Sequence, residues 1–153
     1  MKLSVLTNLY ANMPLSEALA KFKALGIESV EIGCGGYPGK AHCNPDVLLA
    51  DPAALDAFRA TIREYGLDIC ALSTHGNAVH PNKEIAAQFD HDFRQTVLLA
   101  EKLGRKLVDA DEEIVRLAGK SIPAIFAEDG EAVFRDWETK ALSQLGKQSA
   151  LVI

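Results

Sequence analysis

The sequence predicts an α/β fold built on a mostly parallel sheet of about five strands. Short apolar, β-prone runs alternate with amphipathic helical stretches through most of the chain. Three β-loop-α units follow one another directly, and such units place their strands in parallel through right-handed crossovers. With 153 residues, 48% of them hydrophobic, the chain is long enough to bury a core.

The strand–helix units occupy the chain up to about residue 104. The predicted strands are residues 2–7, 29–33 and 67–73, and the predicted helices are residues 15–25, 52–65 and 85–103. Apolar residues recur at helical spacing in each helix, which predicts one buried face per helix. Gly26, Gly66 and Gly104 follow the helices and are typical C-terminal caps.

The rest of the chain continues the alternation with shorter elements. Asp109 and Glu112 have the spacing of a capping box at the start of a helix that Gly119 ends, and Ser121 has the position of a cap for a short helix. The other predicted elements are strands at residues 106–108 and 149–153 and a longer helix at residues 130–145.

Charge and composition exclude several classes of partner. With 16 basic and 21 acidic residues the net charge is −5, and no basic cluster supports nucleic-acid binding. No apolar run approaches the roughly 20 residues of a membrane span, and there is no signal-peptide pattern, so we expect a cytoplasmic protein without a membrane partner. The odd number of cysteines, Cys34, Cys43 and Cys70, favours reduced thiols over disulfides or a zinc site.

Polar side chains at the ends of the second and third strands are the first candidates for chemistry. Glu31 lies in an apolar strand, where a carboxylate is costly without a partner, so it is either a general base or ligand or a carboxylate satisfied by backbone amides. His42, His75 and His80 fall in loops after strands, where imidazole can bind a metal ion or transfer protons. The alternative is that they are solvated loop histidines.

The loop after the second strand contains two incomplete nucleotide-binding patterns. Residues 33–38 begin like a dinucleotide fingerprint, but Pro38 replaces the third glycine and no helix is predicted to start there. Lys40 fails as the lysine of a phosphate loop, because Cys34 replaces the leading glycine and Ala41 the hydroxyl residue. We therefore predict a flexible loop.

Three motifs in residues 1 to about 104 resemble the sugar phosphate isomerase/epimerase family, whose members have a xylose isomerase-like TIM barrel. The motifs are SVEIGCGGYPGKAHC, ALSTHGNAVHP and FRQTVLLAEKLG, in that order. The resemblance implies the N-terminal part of a (βα)8 barrel and a divalent metal ion that helps to move protons on carbons next to a sugar carbonyl. It also implies that the main metal ligands come from later strands than those present here.

This first resemblance gives the histidines and Glu31 specific expected roles. Glu31 and His75 become the catalytic candidates, and His75 is also a candidate metal ligand. His42, Asn77 and His80 are the candidates for binding a sugar or sugar phosphate.

Residues from about 98 to 153 resemble an internal segment of shikimate kinase. The resemblance lies in the run LAEKLGRKLVDADEEIVRLAGKSIPAIFAEDGEAVFRDWETKAL. In that family, aspartates at the positions of Asp109 and Asp111 serve the magnesium shell and the shikimate hydroxyls, and an arginine at the position of Arg135 holds the shikimate carboxylate. The resemblance therefore implies Asp111 and Arg135 as substrate-binding residues and Asp109 as a metal-site residue. The alternatives are a helix cap at Asp109 and a surface Arg135.

ATP and magnesium are implied only by this second resemblance. Phosphoryl transfer needs a loop that surrounds the phosphates, and in shikimate kinase it would precede the position of Leu99, where isomerase-like sequence stands here. We therefore expect a truncated sugar phosphate isomerase/epimerase-like protein with low or no activity alone. The alternatives are a shikimate kinase-like fragment without the phosphate loop and an inactive hybrid.

The two resemblances meet at residues 98–104, LLAEKLG, where the long helix ends. Both families place such a helix before a parallel strand, so a chimera joined here stays locally consistent. We expect a partial barrel at residues 1–104 and a shikimate kinase-like segment at residues 105–153, in one continuous folded unit. A partial barrel exposes strand edges and apolar surface, which favours self-association.

Overall fold

The computed structural model describes residues 2–147 and 151–152. The chain divides into two compact units, Met1–Leu99 and Ala100–Ile153. Every strand pair among the described residues is parallel, which confirms the predicted α/β class. The expectation of one sheet of about five strands was wrong, because the last two strands pair with each other in a separate sheet.

The first unit is built on three parallel strands in the order β1–β2–β3. The strands are β1 (Ser4–Leu6), β2 (Ser29–Gly36) and β3 (Asp68–His75). The helices are α1 (Leu15–Ala24), α2 (Pro45–Ala50), α3 (Pro52–Glu64) and α4 (Lys83–Lys102), and a 3-10 helix, Thr7–Tyr10, follows β1. Helix α2 was not predicted. It begins where the side chain of Asn44 accepts a hydrogen bond from the backbone N–H of Asp46.

Helices cover one face of the sheet in the first unit. Helices α1 and α3 contact each other, and Val30 and Ile32 of β2 are fully buried. Ser4 Oγ lies 2.8 Å from Cys70 Sγ, although β2 separates their strands. Such a contact requires a strongly curved sheet. The described residues form an open sheet of three strands, and the TIM-barrel-like portion stays a prediction.

The carboxyl end of β2 continues past the predicted end at Gly33. Gly36 has φ +61°, and a Cβ atom there would overlap with the carbonyl oxygen of His75. The next residue, Tyr37, donates its backbone N–H to the same carbonyl at 2.8 Å. Only glycine allows this approach, so β2 and β3 stay paired as far as His75.

Helix α4 buries a different face from the one that its apolar spacing predicts. Ile85 and Phe93 are 40% and 55% exposed, whereas the polar residues Asp92 and Thr96 are buried. The apolar stripe predicted for this helix, which includes Ile85 and Phe93, was therefore wrong at these two positions. Asp92 is buried instead, because it has hydrogen-bond partners in the loop after β2. Among the described helices, α4 included, none combines the length and the apolar character of a membrane span.

The second unit contains three helices and a small parallel sheet. The elements are β4 (Lys106–Leu107), α5 (Ala110–Ala118), α6 (Ile122–Glu128), α7 (Glu131–Leu145) and β5 (Leu151–Val152). The core consists of Ile114, Ile125, Phe134 and Ala141. Of the strand predicted at residues 149–153, positions 151–152 are confirmed as a strand, and positions 149, 150 and 153 lie outside the described residues.

Candidate functional site

Glu31 of β2 lies close to Ser73 and His75 of β3. Ser73 Oγ donates a hydrogen bond to Glu31 Oε1, and His75 Nε2 lies 3.9 Å from the same oxygen. Ser73 is buried, whereas the side chains of Glu31 and His75 are 35% and 69% exposed. A buried hydroxyl thus fixes a carboxylate that faces solvent beside an imidazole, and this arrangement can support proton transfer.

Ser73 is the member of this cluster that the sequence reasoning missed. It precedes His75 by two positions in β3, so both side chains lie on the same face of the sheet. That spacing was visible in the sequence once β3 was known to continue to His75. The partner of Glu31 is therefore a side-chain hydroxyl, and neither interpretation offered for Glu31 had named one.

The other residues predicted for this site make local contacts. His80 Nδ1 accepts the backbone N–H of Asn82, and Asn77 Oδ1 accepts that of Val79, so both shape their own loop. Among the described residues, no hydrogen bond links either side chain to Glu31 or His75. The structure therefore brings Glu31 and His75 together but gives Asn77 and His80 loop-forming roles.

His42 is buried in the loop that follows β2. Its Nε2 lies 3.0 Å from the carbonyl oxygen of Met13, and its Nδ1 has no hydrogen-bond partner among the described residues. With only 8% of its surface exposed, His42 does not have the solvent-accessible position expected of a substrate-binding loop histidine. It connects its loop to the segment before α1.

A buried carboxylate, Asp92 of α4, holds the same loop. Its oxygens accept hydrogen bonds from the backbone N–H of Gly36 at 2.8 Å and from Gln88 Nε2 at 2.8 Å, and Lys40 Nζ lies 2.7 Å away. The side chain of Asp92 is 6% exposed. Burial would raise the pKa of Asp92, but the hydrogen bonds from Lys40, Gly36 and Gln88 outweigh it and hold the pKa below its ordinary value.

Lys40 links Asp92 to a second carboxylate. Its Nζ also lies 2.7 Å from Asp46 Oδ2, and Asp46 Oδ1 lies 2.7 Å from His91 Nε2. Burial would lower the pKa of Lys40, but the two carboxylates raise it. Lys40 is therefore a structural cation, and the predicted flexible loop is anchored to α4.

In the second unit Asp109 is the N-cap of α5. Its Oδ1 accepts the backbone N–H of Asp111 at 2.8 Å and that of Glu112 at 3.4 Å, as the capping interpretation predicts. The side chains of Asp109 and Asp111 both belong to exposed residues. Asp111 thus presents a carboxylate to solvent in the first turn of α5.

Arg135 lies on α7 and is the cationic group expected to bind a carboxylate. Its side chain is 57% exposed, and the guanidinium lies over the ring of Phe134 at 5.3 Å from the centroid. Nη1 donates to Glu138 Oε2 at 3.0 Å, and Nη2 donates to Glu131 Oε1 at 3.2 Å. These glutamates, Glu138 first, raise the pKa of Arg135, so the side chain is a permanent cation.

The residues present do not fit the cofactors that the two resemblances imply. No group of three or more His, Cys, Asp or Glu side chains that could hold a metal ion occurs in the described ranges. The glycine-containing loop does not suit ATP phosphates, because the backbone N–H groups of Gly36, Tyr37 and Gly39 donate within the protein. Its lysine, Lys40, is held by two carboxylates.

Comparison with known proteins identifies relatives for the last part of the chain. Residues 95–153 match the family model for shikimate kinase. The shikimate kinase of Chlorobaculum parvum is 52% identical over 56 residues, which are 37% of this chain and 30% of that enzyme. The shikimate kinase of Synechococcus elongatus is 50% identical over 56 residues, and that of Acinetobacter baumannii is 49% identical over 55 residues, covering 30% and 31% of those enzymes. The chain therefore spans about 30% of the length of the curated relatives that it matches.

The matched segment begins inside α4 and includes the whole of the second unit. It agrees with the resemblance of residues 98–153 to shikimate kinase, and it includes Asp109, Asp111 and Arg135. The resemblance of residues 1 to about 104 to sugar phosphate isomerases/epimerases stays a prediction. A shikimate kinase-like region in the last part of the chain is therefore the supported alternative.

Proposed function

We propose that residues 95–153 are a shikimate-binding segment and that the chain binds shikimate through Arg135 and Asp111. The observation that carries this proposal is the match of these residues to the shikimate kinase family. Helices α5 and α7 contact each other, so the two side chains stand on neighbouring elements of one unit. Asp109 is the third position that the resemblance implies, and its Oδ1 accepts the two capping hydrogen bonds of α5.

The chemistry of the two side chains suits a hydroxylated carboxylic acid. The exposed guanidinium of Arg135 can donate two parallel hydrogen bonds to a carboxylate. The exposed carboxylate of Asp111 can accept hydrogen bonds from hydroxyl groups, because its Oδ atoms are not used by the cap of α5. Arg135 on α7 would therefore bind the carboxylate of such a ligand, and Asp111 on the adjacent helix α5 would bind its hydroxyl groups.

The proposal is binding and not phosphoryl transfer. Transfer of a phosphoryl group needs donors arranged around the phosphates. The loop of residues 33–40 contains the incomplete phosphate-loop pattern. Its Lys40 ammonium pairs with Asp46 and Asp92, and its Gly36 N–H donates to Asp92.

Shikimate titration followed by Trp137 fluorescence tests the proposal. Trp137 is the one tryptophan in the sequence and lies two positions after Arg135, so its emission should report binding nearby. We expect a saturable change that Arg135→Ala weakens by about ten-fold or more, because a charge-assisted bidentate contact is lost. Methyl shikimate is the matched control ligand, since it keeps the hydroxyl groups and lacks the charge. Absence of saturation, or equal affinity for the methyl ester, would contradict the proposal.

We propose proton transfer on a sugar or sugar phosphate as a second function, located in the first unit. The observation that favours it is the Glu31–Ser73–His75 cluster, in which a fixed carboxylate lies beside an imidazole. Glu31 would hold or remove the proton next to the sugar carbonyl, and His75 would donate to the oxygen that gains charge. Both are exposed enough to reach a ligand.

Deuterium incorporation into a ketose phosphate in heavy water, followed by NMR, tests this second function. We expect protein-dependent exchange at the carbon next to the carbonyl, lowered by about a hundred-fold in Glu31→Gln and His75→Asn, because general acid–base groups contribute about that much. His80→Asn is the matched control, because His80 is hydrogen-bonded within its own loop. Exchange that persists in both cluster variants would rule this function out.

A further inference from the structure

The Arg135 guanidinium is occupied on both arms before any ligand binds. Glu138 accepts from Nη1 and Glu131 accepts from Nη2. A carboxylate ligand binds arginine best through two parallel hydrogen bonds from the guanidinium fork. Each glutamate uses one of the five guanidinium N–H groups, so a ligand carboxylate that binds across Nη1 and Nη2 competes with the glutamates for these two nitrogens.

The two glutamates differ in how firmly they hold Arg135. The Glu131 side chain is 68% exposed and its oxygen lies 3.2 Å from Nη2. The Glu138 side chain is 38% exposed and its oxygen lies 3.0 Å from Nη1. An ion pair weakens as exposure increases, because water and salt screen it and the side chains regain freedom. Glu131 is therefore the partner that leaves more easily.

The guanidinium keeps a support when Glu131 leaves. Phe134 is buried, and the Arg135 guanidinium lies over its ring at 5.3 Å. Contact with the face of an aromatic ring stabilises the positive charge of the guanidinium and limits its rotation. Phe134 and Glu138 together can hold the fork while Nη2 exchanges its acceptor.

We propose that Glu131 is an internal counter-ion that competes with a ligand carboxylate for Arg135 and so sets the affinity of the site. This inference rests on the proposed binding of shikimate, and it names the residue that limits that binding. The free protein keeps Arg135 paired with Glu131, and the ligand carboxylate takes the place of the glutamate. No covalent step is involved.

Shikimate titrations of three proteins test the competition. Glu131→Gln keeps the shape of the side chain and removes the competing charge, so it should bind shikimate about two- to five-fold more tightly than wild type, the range expected of an exposed ion pair. Asp136→Asn is the matched control, since it removes the same charge from α7 and Asp136 makes no ion pair with Arg135 among the described residues. It should change the affinity less. Circular dichroism checks that α7 remains folded, because Glu131 also lies at the helix N-terminus.

Modification of arginine by phenylglyoxal gives a second readout that needs no shikimate. Arg135 should react faster in Glu131→Gln than in wild type, relative to Arg116, whose two contacts with Glu113 are unchanged. Peptide mass spectrometry measures both rates in one sample.

The outcomes separate the two proposals. If neither wild type nor Glu131→Gln binds shikimate, the proposed function is overturned, and the phenylglyoxal rate alone decides the role of Glu131. If wild type binds and Glu131→Gln binds no more tightly, or Asp136→Asn has an equal effect, the counter-ion proposal is overturned while shikimate binding stands. An unchanged rate at Arg135 also overturns it.

Discussion

At the residue scale, Asp92 determines how the loop after β2 is held. A buried carboxylate is costly unless hydrogen bonds and opposite charge satisfy it, and Asp92 has a backbone N–H, an amide and an ammonium group around it. Gly35 makes room for the carboxylate, since a Cβ atom at that position would lie 2.6 Å from Asp92 Cβ. The loop after β2 therefore supplies both the positive charge of Lys40 that pairs with Asp92 and the space at Gly35 that its carboxylate occupies.

We expect Asp92→Asn to destabilise the chain by about 2–4 kcal/mol, because it leaves the partly buried Lys40 with one carboxylate in place of two. Urea denaturation measures the free energy of unfolding. Asp90→Asn is the control two positions away on α4, where the carboxylate pairs with Arg94 at the surface. It should leave the midpoint nearly unchanged. An equal effect of both substitutions would show that the buried network adds nothing.

The acid stability of the chain should depend on the same carboxylate. The pKa of Asp92 is lower in the folded chain than its ordinary 3.8, so its contribution is complete above that value and is lost as the pH falls through the folded pKa. Between about pH 7 and about pH 3, wild type should lose more unfolding free energy than Asp92→Asn. Urea titrations at both pH values make the comparison. Parallel losses would contradict the expectation.

At the element scale, the junction of β2 and β3 depends on glycine. Gly36→Ala should destabilise the chain by roughly 2–4 kcal/mol, because it adds a left-handed strain to an overlap with the carbonyl of His75. Gly26→Ala is the matched control, with φ +77° and no atom within 4 Å of the added Cβ, and it should cost only about 1 kcal/mol. Thermal melts followed by circular dichroism compare the two. Similar losses of stability in both variants would show that the backbone strain of a positive φ accounts for the effect and that the overlap with the His75 carbonyl adds nothing.

The elements differ in how well local sequence predicts them. The three strands of the first sheet were predictable because each is a short apolar run next to a helix, and the capping of α5 because Asp109 precedes its helix directly. The proximity of Glu31 and His75 does not follow from the strand register, which places Glu31 beside Ala71 and His75 beside Gly36. Asp92 and Lys40 could not be paired in the same way, because a contact across 52 positions leaves no local pattern. Helix α4 therefore buries Asp92, although the spacing of its apolar residues predicts a different buried face.

At the scale of the whole molecule, the curved sheet of the first unit ends in two strands that each pair on one side. Within the described residues β1 and β3 have β2 as their only strand neighbour. Unpaired strand edges favour pairing with another chain. One of these two edge strands is β3, which contains the exposed residue Cys70. A charged side chain at this position should discourage pairing with another chain.

We expect wild type to self-associate with rising concentration and Cys70→Lys to shift toward the monomer. Analytical ultracentrifugation measures both. Leu25→Lys is the control, because it places the same charge on a residue that is 70% exposed and lies outside the strands, at the end of α1. A wild-type chain that stays monomeric throughout the concentration series would show that its edges are already protected.

The three thiols offer a way to time the opening of the first unit. Cys34 and Cys43 are buried, so a reagent does not reach either thiol in the folded chain. Contact with Cys43, together with burial, also raises the pKa of Cys34. Cys70 alone is exposed among them. An alkylating reagent should therefore add one label at once and two more only as the chain unfolds, so that the slow labels record the lifetime of the native sheet without any engineered probe.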